Sequence, residues 1–173
     1  MAWLISINDL DSQQHAFLDS IMKESNNEQI IGFPGSGKTI LMLYAAAKIR
    51  NTKKNAKIIF VEFTHALIKM LKVALDEMQY AGKDIDPIKI VTYYEYMKSC
   101  TNTRYDYVFC DEVQDVPKRV LDAMRANSKR VIIAGDANQS IYKQDPKYQE
   151  KPVDDSDIQQ ILNPKTLSLN IVH

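Results

Sequence analysis

The sequence predicts an α/β fold: a buried parallel sheet with helices on both faces. Three observations carry this. Short apolar runs rich in Ile and Val alternate with helical stretches along the chain, the pattern of βαβ units. The run Gly32-Phe33-Pro34-Gly35-Ser36-Gly37-Lys38-Thr39 matches the phosphate-loop spacing between a strand and a helix. Two further apolar runs end in polar clusters, Asp111-Glu112-Val113-Gln114-Asp115 and Gly135-Asp136-Ala137-Asn138-Gln139.

The elements follow in order. Asp11-Ser12 reads as an N-cap opening a helix over about residues 12–25, with Ala16, Phe17, Ile21 and Met22 on one face. Gln29–Ile31 is a short buried strand into the glycine-rich loop, and residues 38–50 are the helix that leaves it. Ala56–Phe63 is a second strand and 65–80 a second long helix. Ile88–Thr92 is a third strand, followed by a short helix near 94–99. Tyr107–Cys110 is a fourth strand. Pro117 suits the first turn of a helix reaching Ala126, and Arg130–Ala134 is a fifth strand. After Tyr142 the stretch KQDPKYQEKPVDDSD is polar and reads as a surface loop, before a brief helix near 157–162 and a last strand at 166–170.

Composition bounds the function. The chain has 173 residues, 45% hydrophobic, the size of one domain. Its 22 basic and 22 acidic residues balance, so bulk charge gives no support for strong autonomous nucleic-acid binding, although a local basic strip is compatible with it. Cys100 and Cys110 form no CxxC pair, which argues against a disulfide framework or zinc site. No stretch approaches the roughly 20 apolar residues of a membrane span, and the start of the chain lacks a signal-peptide pattern. These features predict a cytoplasmic protein with no membrane partner.

The loop at 32–39 predicts binding of ATP with Mg²⁺. Its glycines let the backbone curl so that successive N–H groups face phosphate oxygens, and the following helix N-terminus adds positive potential. Lys38 is placed to reach the β and γ phosphates, and the Thr39 hydroxyl to ligate Mg²⁺. A glycine-rich turn that binds nothing would need neither side chain. Asp111 and Glu112 leave the fourth strand at the same sheet edge, Asp111 suited to the metal and Glu112 to activating a water. Gln139, at the end of the fifth strand, is of the type that senses a γ-phosphate, although on these residues alone a plain turn is the favoured reading. A kinase or GTPase reading is disfavoured, since the chain has no NKxD box and places a glutamate beside the metal aspartate.

In order and spacing, GFPGSGKT, DEVQD and GDANQSIY resemble the first RecA-like domain of UvrD/Rep-type superfamily 1 helicases. Weaker matches surround them: Leu10–Gln14 resembles the family's Q motif, Phe63–Ala66 and Thr92–Tyr94 the segments after the second and third strands. The resemblance spans about residues 8–142, with 143–173 as a polar loop and the start of a linker toward a second domain. It implies adenine contact by Gln14; ATP contact by Gly32, Pro34, Gly35, Ser36, Gly37, Lys38 and Thr39; metal ligation by Thr39 and Asp111; and catalysis by Lys38, Glu112 and Gln139. Gln114 and Asp136 would couple nucleotide state to single-stranded DNA, with Thr64, Thr92, Tyr93, Tyr94 and Tyr142 facing that DNA. Such a helicase also needs a second RecA-like domain or partner that supplies an arginine to the γ-phosphate. All arginines here lie at or before Arg130, which implies weak hydrolysis by the chain alone. Two readings stand: part of a longer DNA-dependent ATPase, favoured because the chain stops inside a recognisable segment, or a stand-alone nucleotide-dependent switch or binding module.

Overall fold

A computed structural model describes residues 6–77, 88–135, 145 and 147–169. Six strands form one sheet: β1 (Glu28–Gly32), β2 (Ile58–Glu62), β3 (Lys89–Thr92), β4 (Tyr105–Cys110), β5 (Ser128–Ala134) and β6 (Lys165–Leu169). Their order is β3-β2-β4-β5-β1-β6, and every pairing is parallel. The helices are α1 (Ser12–Lys23), α2 (Lys38–Thr52), α3 (His65–Glu77), α4 (Tyr93–Glu95), α5 (Lys118–Ala126) and α6 (Asp155–Leu162). No described helix is long and apolar enough to cross a membrane.

Strand alternation builds two cores. Ile58, Phe60, Phe109 and Ile132 face α1, α2 and α3, while Ile59, Val61, Val108, Cys110 and Ile133 face α5, α6 and the turn after β3. Phe60 and Phe109, paired in register, stack at 5.6 Å. Helix α2 is apolar all round, as a helix sandwiched between the sheet and its neighbours α1 and α3 must be, and Ile40–Ala47 are all buried. Cys110 is a buried free thiol, raised well above its ordinary pKa by burial.

Several boundaries differ from expectation for local reasons. Pro117 is the N-cap of α5 rather than part of its first turn, held by an antiparallel bridge to Pro152. The short helix after β3 breaks into α4 and a π-helical turn at Tyr96–Cys100. The polar stretch after Tyr142 carries a buried anchor: the Asp145 carboxylate accepts from the Tyr93 hydroxyl and from the Lys147 and Tyr148 amides. The last segment supplies edge strand β6, in register with β1 from Glu28↔Lys165 to Gly32↔Leu169. The loop near 80–87 lies outside the described residues.

Arg130 fastens the end opposite the phosphate loop. Its guanidinium pairs with buried Glu28 and donates to the carbonyls of Ile21, Glu24 and Asn26 at the end of α1. Burial pushes the Glu28 carboxyl up, against the pull of Arg130. Arg130→Ala would leave Glu28 buried without its partner. The expected loss is about 3–5 kcal/mol by urea denaturation; a loss below about 1 kcal/mol would show that the pair is dispensable.

Candidate nucleotide site

The site lies at the carboxyl edge of β1 and β4, where parallel sheets present loops to ligands. Gly32 ends β1 against Leu169 of β6, and a Cβ there would sit 2.7 Å from Ser36 Oγ and 2.8 Å from the Leu169 carbonyl. The loop then turns through Gly35 (φ 81°) and Gly37 (φ 82°), a left-handed region that favours glycine. Gly37 is the N-cap of α2 and has no side chain to cap it, so the helix N-terminus stays open to an anion. Ser36 Oγ is buried without a hydrogen-bond partner. Lys38 folds back over the loop, its Nζ donating to the carbonyls of Gly32 (2.7 Å) and Phe33 (3.1 Å).

The carboxylates arrive from β4. The Asp111 amide donates to Val61 O on β2, and its side chain accepts from the Thr39 hydroxyl and from the Glu112 amide. Burial, reinforced by the charge of Glu112, raises Asp111 to about 6 although Thr39 and Lys38 oppose the shift. Glu112 takes a left-handed conformation (φ 49°), a strained geometry for a residue with a Cβ. Its Oε2 accepts from Gln114 Nε2 at 2.5 Å. Gln114 Oε1 is buried without a partner, and a Cβ on Gly135 would fall 2.1 Å from it. Glu112, Gln114 and the exit of β5 thus touch in sequence.

Hydroxyl and carboxylate are hard oxygen donors, and Thr39 and Asp111 already meet, which fits Mg²⁺. Among the described residues no three His, Cys, Asp or Glu side chains group as a metal cage.

The other expected residues divide. Gln14 is buried, and its amide oxygen accepts from the Asp11 amide in a capping box at the start of α1. Pro34 is exposed on the loop, and Thr64 is exposed just before α3, its hydroxyl near the Leu67 amide. Thr92 and Tyr93 were expected to face nucleic acid, and both are interior. Thr92 caps α4, and Tyr93 is fully buried, stacked on Phe63 and bonded to Asp145. Tyrosine's ring satisfies a core while its hydroxyl finds a partner. Tyr94 is half-buried, with Lys147 Nζ 4.7 Å from its ring centroid. Asp136, Gln139 and Tyr142 lie outside the described residues. Sequence reasoning passed over Asp145 and Glu62; an acid closing an apolar strand was the available signal for the second.

A profile of the AAA domain matches residues 13–145. The chain belongs to the AAA-domain family. No curated protein matches it. Among solved structures, this AAA domain resembles the DUF1998 helicase MrfA bound to DNA (TM-score 0.63, 13% identity, 96% of this chain and 28% of that one). It also resembles the Sulfolobus solfataricus SWI2/SNF2 ATPase core in complex with dsDNA (0.63, 13%, 94% and 44%). The Pif1 helicase from Candida albicans is a third (0.55, 13%, 95% and 40%). The domain has the RecA-like fold of helicase-type ATPases and spans less than half the length of each of these proteins.

The buried carboxylate sets a pH dependence. Asp111 has a folded value of about 6, above its unfolded 3.8, so the native state holds the extra proton and stability falls as pH rises through that window. At pH 8, without metal or nucleotide, Asp111→Asn is expected to raise the denaturation midpoint by the equivalent of about 1–3 kcal/mol. A lowered midpoint would contradict this placement of the charge.

Proposed function

We propose that this AAA domain is the ATP-binding half of a UvrD/Rep-like, DNA-dependent ATPase that couples hydrolysis to movement along single-stranded DNA in the full-length protein. The observation that carries it is the contact between Thr39 and Asp111, which brings the loop hydroxyl to the strand-end carboxylate across 72 residues of sequence. The pairing places a hydroxyl and a carboxylate together as hard oxygen donors beside the phosphate loop.

The residues divide the work. Lys38 exchanges the carbonyls of Gly32 and Phe33 for the β and γ phosphates of ATP, joined by the loop amides and the N-terminus of α2. Thr39 and Asp111 would hold Mg²⁺, which when bound neutralises charge on the phosphate oxygens. Glu112 accepts the proton of the attacking water, in the position that Gln114 holds for it. Gln114 packs against Gly135, and through it Gln139 and Asp136 would sense the γ-phosphate. Gln14 would contact adenine beside its cap. Thr64, Tyr94 and Tyr142 remain the candidates for bases, since stacking on an aromatic ring needs no sequence preference. A second RecA-like domain or partner completes the site with an arginine.

Lys38→Ala is expected to abolish nucleotide binding measured by calorimetry. Glu112→Gln is expected to keep binding and lower turnover at least about a hundredfold. Wild-type turnover persisting in Glu112→Gln would remove Glu112 from its role. In the full-length protein single-stranded DNA should stimulate turnover; no response to DNA would favour a stand-alone nucleotide switch. The isolated chain should turn over slowly, because a missing arginine costs about 10³–10⁵ in rate.

A further inference from the structure

Glu62 is the last residue of β2, and only 1% of it is exposed. Both carboxylate oxygens are buried without a hydrogen-bond partner of normal geometry. The neighbouring Phe63 amide opposes the shift of its pKa only weakly, and burial together with the charges of Asp111 and Glu112 pushes it up to about 9. At neutral pH a carboxyl held so high keeps its proton, and burying it with so few hydrogen-bond partners still costs stability.

The register shows where it points. Phe60 pairs with Phe109, and both rings stack on the α2 face of the sheet. Glu62 and Asp111 each stand two residues further on, so by strand alternation both side chains project to that face. Asp111 does so visibly, since it meets Thr39 of α2. On the other side Glu62 pairs with Thr92 of β3, whose hydroxyl is taken by the Glu95 amide. Glu62 therefore opens toward Thr39 and Asp111. Val61 pairs with Cys110, so Glu62 and Asp111 leave neighbouring strands side by side, close enough for the charge of Asp111 to act on Glu62.

We propose that Glu62 is a further positioning residue of the nucleotide site, whose carboxylate accepts hydrogen bonds from water on the metal held by Thr39 and Asp111. It thereby sets how strongly nucleotide affinity depends on Mg²⁺. The inference rests on the reading of the site given under Proposed function.

The test is calorimetric affinity for a non-hydrolysable ATP analogue, with Mg²⁺ and with EDTA, for wild type, Glu62→Gln and Glu62→Asp. In EDTA, Glu62→Gln is expected to bind at least as tightly as wild type. With Mg²⁺ its gain in affinity should shrink about tenfold or more, the usual effect of losing a residue that orients metal-bound groups. Glu62→Asp, which keeps the carboxyl group, should retain more of the gain than Glu62→Gln. A gain in Glu62→Gln within about twofold of wild type, or equal losses in both variants, would overturn this inference alone. No Mg²⁺ gain in wild type would overturn the reading of the site and this inference with it.

Discussion

The contact between the Thr39 hydroxyl and the Asp111 carboxylate ties the first turn of α2 to the end of β4. Everything at the carboxyl edge depends on it. Helix α2 starts at Lys38 because Gly37 can adopt a left-handed conformation, and its axis is fixed by a wholly buried run from Ile40 to Ala47. Strand β4 is held between β2 and β5 by parallel ladders. The helix and this face of the sheet share one core, and the two polar groups meet at its edge.

That edge is built against stability. Asp111 is nine-tenths or more buried and raised to about 6, Glu62 is raised to about 9, and Glu112 sits in a left-handed conformation. Acidic groups crowd there, and Lys38, the basic side chain of the loop, is engaged with carbonyls of its own loop. Such concentrations persist where a ligand supplies the missing positive charge, and they mark functional sites. At the opposite edge the arrangement differs: Arg130 meets its acid and three carbonyls. At the Arg130 end the buried acid has its ionic partner within the chain; at the phosphate-loop end the buried carboxyls have no such partner among the described residues.

Much of this was legible in the sequence. The five Ile- and Val-rich strands and the phosphate loop follow from local signals, composition and spacing. The neighbours of each strand do not: β6 lies beside β1 although most of the chain separates them, and no local pattern encodes that pairing. Thr92 and Tyr93 illustrate a second limit. A tyrosine at a strand end suits both a stacking platform and a core, and only the tertiary partner Asp145 decides between them. Gln14 illustrates a third, because the Asp11 cap and the proposed adenine contact ask for the same side chain. Glu62 could have been found by parity, since it is two residues beyond Phe60 on an alternating strand.

The central claim is that the loop at 32–39 and the segment at 111–114 form one nucleotide site. Hydrogen–deuterium exchange of the chain with and without Mg²⁺ and a non-hydrolysable ATP analogue measures this directly. The account expects nucleotide to slow exchange at both segments together, with little change at the Arg130 end of the sheet. Slowed exchange at neither segment, or only at the Arg130 end, would contradict it.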